Sequence, residues 1–509
     1  MFCTLQFLGG PDRSAGTPIT WGEWENYAST IPFQKIETWD VGTLEKTDLA
    51  LTQDKNQPFP FAYSIDVEIE MEESGKWFNL SQGSRVWVQG FEASGAMGMG
   101  FILDRLNIPR GARLYVFNED RTDVAGPYTF EDNNLSTVLS IPPVEGDRII
   151  FEFYEPREAL GHGSLRVKTT SYVYKEINSE ERAISDLHGC HVNSHCGDIR
   201  PWDVSKNGVV RITVDNGTKW CSGVLLNSTA HKNIPYVLTT TDALIDHPSM
   251  WTFRFGFESD DCDKFNASAN NSISGGSIVA VDEATGLVLV ELNEKPDAKW
   301  DIYYCGWDRS GKIPEEAACL HHPNGDIMKG AVTSSDLIVN SVQNNTPGWW
   351  IDRWSVGTTE QGSVGAPIFS GNGQVVGILK NGSSDCYSQG GDHVVKLHDA
   401  WDTFKDFLDP SNSGDSDISG HKPIGRPDDE RIIYDEVAFY PNPASEQVFI
   451  YNESDEVVTQ IVVYNMNGQL AHLPYSDGSQ FSVQELSAGL YIVEIQLESF
   501  VIRERLIVR

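Results

Sequence analysis

Between residues 58 and 177, apolar and polar residues alternate in short runs that turn-forming residues separate. Alternation with a period of two is typical of a strand that buries one face. The pattern predicts a β-sandwich over residues 46–177. A lead-in over residues 1–45 precedes it, and we interpret its apolar start as the remnant of a signal region. The clearest strand runs are Tyr63–Glu70, Ser84–Glu92, Ala112–Asn118 and Arg148–Tyr154.

Short apolar runs also predict strands in the second half of the chain, where polar segments divide them into two units. A polar linker at residues 175–187 leads into the first unit, residues 187–409. Residues 410–435 are rich in Ser, Gly, Asp and Pro and nearly lack apolar residues, so they predict a disordered linker. A small β unit follows at residues 436–509. The predicted fold class is therefore all-β.

Length, composition and charge limit the number of domains and the classes of partner that are expected. A chain of 509 residues is too long for a single hydrophobic core, and its length suggests about three domains. There are 38 basic and 73 acidic residues, a net charge of -35. The electrostatic field of such a negative net charge repels nucleic acid and anionic lipid surfaces, so neither is an expected partner. No uninterrupted apolar run reaches ~18 residues, so no transmembrane segment is predicted.

Cysteines are concentrated in the unit that begins at residue 187. Of the 8 cysteines, all but Cys3 lie from Cys190 onward. Cys190 and Cys196, together with His188 and the two histidines between them, predict either a zinc cluster or part of a disulfide framework. The spacing is poor for structural zinc, which usually takes ligand pairs with two to four residues inside each pair. Clustered cysteines in an exported protein are more typical of disulfides.

Three acidic segments are candidate calcium loops. Calcium takes six to eight oxygen ligands, which carboxylate-rich loops supply, but none of these segments has an ordered ligand spacing. We therefore expect no cofactor, with calcium as the alternative and no residues assigned to it. The segments are Asn118–Asp123, Asp260–Asp263 and residues 409–419.

Several segments of residues 187–409 together resemble one family. Residues 220–239 are similar to the run before the catalytic histidine of the lysyl-endopeptidase-like branch of trypsin-like serine proteases. Residues 286–292 are similar to the strand that the triad aspartate opens, and residues 362–367 to the nucleophile loop. Residues 304–308 and 320–326 match intervening segments and keep the register. The resemblance implies a trypsin-like double β-barrel, flanked here by an N-terminal β-sandwich that looks like the pro-region of these proteases.

All three triad positions are substituted in this alignment. Asp242 stands in the place of the histidine, Gly286 in that of the aspartate and Val364 in that of the serine. A valine has no oxygen with which to attack, and a solvated aspartate titrates near pH 4, too low for a general base at neutral pH. The resemblance leaves the oxyanion-loop backbone at Gly362 and Val364. It therefore implies a protein without catalytic residues.

The resemblance also implies a specificity pocket and disulfide pairings. Asp392 corresponds to an aspartate near the primary pocket of lysine-specific relatives, and Val395 to a pocket-wall glycine, which should narrow the pocket. Ala243 replaces the usual partner of Cys221. The implied disulfides are Cys190–Cys386 and Cys196–Cys262, with Cys305 and Cys319 predicted to bridge each other across a hairpin.

The last unit carries a second resemblance. The Tyr-Pro-Asn-Pro sequence at residues 440–443, the Leu-x-x-Gly-x-Tyr segment at residues 486–491 and the basic end at residues 503–509 are similar to the type A sorting domain of the type IX secretion system. This resemblance implies a small β-sandwich. It further implies that the protein is secreted or displayed at the cell surface, with the type IX secretion machinery as a partner.

Together these features predict a secreted pseudoprotease, a protease-like scaffold that binds a peptide, a protein or a polymer. One alternative is an active trypsin-like endopeptidase with a rearranged site, in which Ser363, His247 or His231 would serve. Another alternative is a structural or adhesive surface protein built from three β units.

Overall fold

The computed structural model forms two compact units, residues 1–423 and 424–509. None of the described helices is long and apolar enough to cross a membrane. Some predictions fall outside the described residues. They concern His188, residues 176–187 of the polar linker, and residues 1–16 and 39–45 of the lead-in. The structure describes residues 17–38, 57–80, 83–134, 136–175, 190–230, 233–262, 271–334, 338–343, 346–423, 437–440, 444, 447–452, 458–465, 470–472, 480–497 and 501–508.

The N-terminal part is a sandwich of two sheets. One sheet has the order β1-β5-β10-β7-β8 with β4 beside β5, and the other has the order β3-β11-β6-β9. The rings of Phe91 and Phe151 from the first sheet pack on Phe101 from the second, with centroids 4.8 to 5.4 Å apart. The elements are α1 (Trp24–Ala28), β1 (Phe33–Lys35), β2 (Phe59–Pro60), β3 (Ala62–Glu70), β4 (Lys76–Asn79), β5 (Arg85–Glu92), β6 (Gly98–Asn107), β7 (Arg113–Asn118), β8 (Val124–Tyr128), β9 (Leu139–Glu145), β10 (Arg148–Glu155) and β11 (Ser164–Val173).

The lead-in prediction is wrong for residues 19–35, which belong to the sandwich. β1 pairs with β5 in parallel. The buried carboxylate of Glu152 accepts hydrogen bonds from the amides of Ile19 and Thr20 at 2.6 and 3.0 Å. A buried carboxylate needs such donors, so the segment that supplies them is fixed to the sheet.

The middle part has two further sheets, which correspond to the two halves of the predicted double barrel. The first has the order β17-β16-β13-β14-β15-β19-β18, and the second β12-β22-β21-β25-β26-β27-β24-β23 with β20 and β28 beside it. The all-β prediction is confirmed. The elements are β12 (Val192–Asn193), β13 (Val209–Val214), β14 (Lys219–Leu226), β15 (Tyr236–Thr240), β16 (Thr252–Phe255), β17 (Asn271–Ser274), β18 (Gly276–Asp282), β19 (Leu287–Leu292), β20 (Trp307–Asp308), β21 (Glu316–His321), β22 (Lys329–Ser334), β23 (Ile338–Gln343), β24 (Thr346–Ile351), β25 (Pro367–Ser370), β26 (Val375–Gly382), β27 (Asp392–Lys396), α2 (Leu397–Leu408) and β28 (Asp417–Ile418).

The linker prediction is wrong for residues 410–423, which pack on the second sheet. β28 pairs with β20, and the Asp409 carboxylate accepts hydrogen bonds from the amides of Ser413 and Gly414 at 2.9 and 3.4 Å. Apolar content underestimates order here because backbone and carboxylate hydrogen bonds hold the segment. The remainder of the predicted linker, residues 424–435, lies outside the described residues.

The second unit has two small sheets of its own, with the orders β29-β30-β33 and β32-β31-β34-β35. Its core includes Val448, Val463, Val493 and Leu506, all fully buried. The strands are β29 (Val437–Tyr440), β30 (Gln447–Asn452), β31 (Val458–Asn465), β32 (Leu470–His472), β33 (Gln480–Ser482), β34 (Gly489–Leu497) and β35 (Val501–Val508).

The described cysteines, from Cys190 onward, divide into disulfides and buried thiols. The structure contains the bonds Cys190–Cys386 and Cys196–Cys262. Cys221, Cys305 and Cys319 are buried and lie outside any disulfide.

The predicted bridge between Cys305 and Cys319 is wrong because its hairpin does not form. β20, which follows Cys305, pairs with β26, whereas β21, which contains Cys319, pairs with β22 and β25. Cys305 therefore lies just before β20 and Cys319 lies on β21, and these two strands do not pair with each other. Burial raises the pKa of the Cys305 thiol, so it stays protonated and unreactive.

We expect alkylation of the denatured, unreduced protein to separate the two classes of cysteine. The disulfide cysteines should react only after reduction, because their sulfurs are bonded. Peptide mass spectrometry reads the result, and a cross-linked peptide that joins Cys305 to Cys319 would contradict it. The cysteines expected to react without reduction are Cys221, Cys305 and Cys319.

Candidate functional site

The first sheet brings together two of the positions that the sequence resemblance assigns to the triad. Asp242 lies in a turn directly after β15, and Gly286 directly precedes β19. Because β15 and β19 pair along their length, the end of one strand lies beside the start of the other. The amide of Thr241 donates to the carbonyl of Gly286 at 2.9 Å. These positions are therefore neighbours, as triad chemistry would require of a histidine and its aspartate.

A lysine from the second sheet occupies the space between them. The ammonium nitrogen of Lys380, on β26, lies 2.6 Å from a carboxylate oxygen of Asp242 and 3.4 Å from the carbonyl oxygen of Gly286. The two side chains are 15% and 22% exposed. The position that would hold a general base thus holds a paired carboxylate. Lys380 was not identified from the sequence, because nothing in its local pattern marks it.

Gly286 makes room for this lysine. The glycine has a φ of +68°, in the left-handed region that other residues adopt at a cost. A Cβ placed on it would lie 2.7 Å from Nζ of Lys380. Any side chain at this position would therefore require the end of the Lys380 side chain to shift.

Val364 is a core residue. Its side chain is 1% exposed and packs in an apolar cluster with Cys221 and Ala243. Its carbonyl accepts from the amide of Ser222 at 3.0 Å, and the Ser222 hydroxyl donates to the carbonyl of Gly362 at 3.0 Å. The loop backbone is thus fixed to β14, while the side chain at the nucleophile position faces the core.

The hydroxyl of Ser363 faces the interior instead of a cleft. Its Oγ lies 2.7 Å from Nδ1 of His321 and accepts from the amide of Glu360 at 3.1 Å. Ser363 and His321 are both completely buried. The neighbouring His322 turns elsewhere, with Nδ1 3.0 Å from the carbonyl oxygen of Asp326. Sequence reasoning missed the Ser363–His321 contact because 42 residues separate the two.

Glu360 ties this loop to the start of the domain. Its carboxylate lies 3.1 Å from Nε2 of His191 and also binds the side-chain amide of Asn324. Burial alone would raise the pKa of Glu360, but the hydrogen bond and charge of His191 outweigh it and leave the pKa below its usual value. The carboxylate is thus held in its charged form.

Asp392 is completely buried and its carboxylate is occupied by internal donors. Oδ2 accepts from Nε1 of Trp354 at 2.7 Å, from the Thr359 hydroxyl at 2.5 Å and from the Ser384 hydroxyl at 2.6 Å. Val395, at the other end of the same strand, is also buried in the core. These contacts occupy the carboxylate that a basic substrate side chain would need.

An open groove near this strand is polar. It has a volume of about 530 Å³ and contains Tyr387, whose surface is 84% exposed. Its lining residues are Asp352, Arg353, Cys386, Tyr387, Ser388, Gln389, Gly390 and Gly391.

Disulfide formation removes the ligands of the alternative zinc cluster. Among the described residues, one group of three metal-ligating side chains lies within 4.8 Å, namely Cys190, His191 and Cys386. The sulfurs of its two cysteines are bonded to each other, and Cys196 is bonded to Cys262. Zinc binds thiolates, so these sulfurs do not fit it in the oxidised protein.

We expect stability to fall as the pH is lowered from about 7 to 4.5, in part because of His393. Burial and the charge of Lys380 lower the pKa of this histidine to about 4, against roughly 6.5 in the unfolded chain. Between these values the unfolded state binds more protons, so acid favours unfolding by on the order of 2 kcal/mol at pH 4.5. The stabilisation is fully present above the unfolded pKa.

Urea unfolding of His393→Gln at the two pH values measures this contribution, since the variant should lose less stability than the wild type. His247→Gln is the matched control, because His247 is exposed. An unchanged pH dependence in His393→Gln would show that His393 does not titrate as stated.

Comparison with known proteins agrees with this architecture. Residues 184–397 match the family model "Lysyl endopeptidase, C-terminal domain", and residues 438–509 match "Secretion system C-terminal sorting domain". The inactive form of the protease Rv3671c from M. tuberculosis H37Rv is 14% identical, with a TM-score of 0.30, covering 42% of this chain and 91% of the other. The thermostable serine protease AL20 from an extremophilic microorganism is 13% identical, with a TM-score of 0.29, covering 38% and 92%.

Both family predictions made from the sequence are confirmed by these matches. The sorting domain indicates export, either to the cell surface or into the medium, and the involvement of the secretion machinery. The chain therefore carries a lysyl endopeptidase C-terminal domain in a serine protease fold, followed by a secretion system C-terminal sorting domain.

Proposed function

We propose that this protein is a secreted pseudoprotease, a catalytically inactive homologue of lysyl endopeptidases that acts by binding a peptide, a protein or a polymer. The observation that carries the proposal is the ion pair between Lys380 and Asp242, 2.6 Å long. It occupies the position of the base and its orienting group, while Val364 occupies the position of the nucleophile.

The chemistry of acyl transfer explains why these substitutions abolish turnover. A serine hydroxyl attacks only when a base near neutrality takes its proton. Loss of the serine or histidine alone costs about a million-fold in turnover in the subtilisin series. Here Asp242 is paired with an ammonium, and Val364 has no hydroxyl. An oxyanion loop without a nucleophile has no tetrahedral intermediate to stabilise.

The contacts of Ser363 speak against a rearranged site. Its hydroxyl and the His321 ring form a serine–histidine pair, but both residues have no exposed surface. A peptide carbonyl would have to come within about 3 Å of the hydroxyl, which buried packing prevents. Of the two candidate bases, His247 is exposed and its Nδ1 contacts Ser249 at 3.0 Å, while His231 lies outside the described residues. These observations support binding over catalysis.

A structural or adhesive role is the remaining alternative. Such a role would need the sheets and their edges, but not an internal network around a specificity-pocket carboxylate. The three side-chain donors to Asp392 and the two disulfides hold the loops of a recognition face in place. The presence of these contacts favours a protein that binds a ligand on this surface.

We expect the full-length protein to show neither turnover of lysyl, arginyl or casein substrates nor labelling by a fluorophosphonate probe. The reason is the absence of an activated serine. The matched comparison is Ser363→Ala, which removes the hydroxyl of the residue next to the proposed nucleophile position and should behave like the wild type. Stoichiometric labelling of the wild type that Ser363→Ala abolishes would establish a rearranged protease instead.

We also expect the N-terminal sandwich to remain joined to the protease-like domain. Active relatives of this kind shed an N-terminal region by their own cleavage, and a protein without a nucleophile lacks that route. Intact mass and N-terminal sequencing of protein purified without contact with other proteases measure this. A new N-terminus near Gly189 under those conditions would contradict the proposal.

A further inference from the structure

A short segment of the sandwich region leaves its own sheets and joins the first sheet of the protease-like domain. β2 pairs antiparallel with β14, with Pro60 opposite Lys219 and Phe59 opposite Trp220. The amide of Phe61 donates to the carbonyl of Thr218 at 3.0 Å. The segment thus pairs with the start of β14, on the side where β15 pairs only with the end of that strand. Addition of a strand in this way is a common mode of binding extended peptides.

The sequence of this segment suits that position. Pro58, Phe59, Pro60 and Phe61 alternate, and successive residues of a strand direct their N–H groups to opposite sides. Phe61 directs its N–H toward β14, so the proline at position 60 lacks only a donor that would point away from the sheet. Prolines also restrict the unbound segment to extended conformations, which lowers the entropy lost on docking.

Aromatic stacking anchors the segment. The ring of Phe61 lies parallel to that of Trp220 with centroids 3.6 Å apart, and Phe59 stacks beside them at 6.3 Å. On the barrel side, the guanidinium of Arg211 lies 4.6 Å from the Trp220 ring. Phe59, Phe61 and Trp220 are at most 5% exposed. Aromatic anchors buried in a pocket are the usual hot spots of an interface.

The same segment contacts the nucleophile loop. The side-chain amide of Gln361 donates to the carbonyl of Pro58 at 3.5 Å. A Cβ placed on Gly362 would lie 3.3 Å from Cβ of Phe59, so glycine permits this approach. Trp220 stands two residues before Ser222, which fixes the loop backbone to β14. The edge of β14 and the loop therefore form one groove, and residues 58–62 lie in it.

We propose that this groove is a binding site for extended proline- and phenylalanine-containing peptides, and that its occupant is the chain's own segment, residues 58–62. The inference rests on the proposed function, since it identifies the ligand of a site that acts by binding. The former nucleophile loop then clamps the sandwich to the barrel. An external peptide of the same chemistry enters the groove only when the segment leaves it.

A polar contact outside the groove supports the sandwich from another side. The amide of Ser140, on β9, donates to the Ser274 hydroxyl at 2.7 Å, and the Thr252 hydroxyl donates to that of Ser140 at 2.8 Å. Small hydroxyl contacts of this kind contribute less than the burial of two phenylalanine rings. The two buried rings of the groove therefore contribute more to the association of the two parts than these hydroxyl contacts do.

The test uses the full chain, with a recognition sequence for a specific protease inserted between residues 176 and 187 and cut after folding. Both disulfides lie on the C-terminal side of the cut. We expect the wild-type halves to elute together in size-exclusion chromatography at ~1 μM. Phe59→Ala/Phe61→Ala should weaken their association at least about a hundredfold, so that the halves separate.

Phe130→Ala is the matched control, because Phe130 is a sandwich phenylalanine that packs on Arg110 instead of the barrel. It should leave the halves associated. Separation of the wild-type halves, or a double variant that stays as tightly associated as the wild type, would overturn the proposal.

Hydrogen exchange on the uncut double variant guards against a folding defect. Loss of protection confined to residues 217–222 and the segment itself is expected, whereas unchanged protection there would overturn the proposal. A peptidase assay on the same samples keeps the two proposals apart. Turnover would refute inactivity, while the association of the cut halves would still decide the occupant of the groove.

Discussion

The ion pair between Lys380 and Asp242 is the interaction on which the character of the site depends. It joins the two sheets of the protease-like domain at the place where a triad would operate. Both groups are largely withdrawn from water, and loss of one partner from a buried pair costs about 3–5 kcal/mol. Gly286 is part of the arrangement, because any side chain there would meet the lysine. The three residues therefore form one connected arrangement at the positions proposed to correspond to the triad histidine and aspartate.

The loop that resembles a nucleophile loop is held by contacts that do not require a serine. Hydrogen bonds from Ser222 hold the carbonyls of Gly362 and Val364, and the Val364 side chain adds to the core. These contacts stabilise the domain whether or not a serine is present. The loop also contains Gly362, whose lack of a side chain lets Phe59 of β2 approach closely. The loop backbone therefore contributes to the proposed binding.

Sequence patterns predicted the strands of each sheet better than the contacts between distant segments of the chain. Alternation identified most strands of the sandwich, because a half-buried strand imposes a period of two on its own residues. It could not show that β2 leaves the sandwich for β14, or that residues 410–423 pack on the second sheet. Both arrangements depend on hydrogen bonds to residues more than a hundred positions away. The local alternation of apolar and polar residues does not indicate which distant strand a segment pairs with.

By itself, the sequence determined the family resemblance, the all-β class and the export signal, because these follow from residue identity and from the alternation of apolar and polar residues. Tertiary structure alone decided what fills the vacated site. Lys380 and His321 have no distinguishing neighbours in sequence, and only packing of distant strands places one beside Asp242 and the other beside Ser363. The reason is that a charge or a hydroxyl acquires its role from the groups within about 4 Å, and folding, not sequence order, selects those groups.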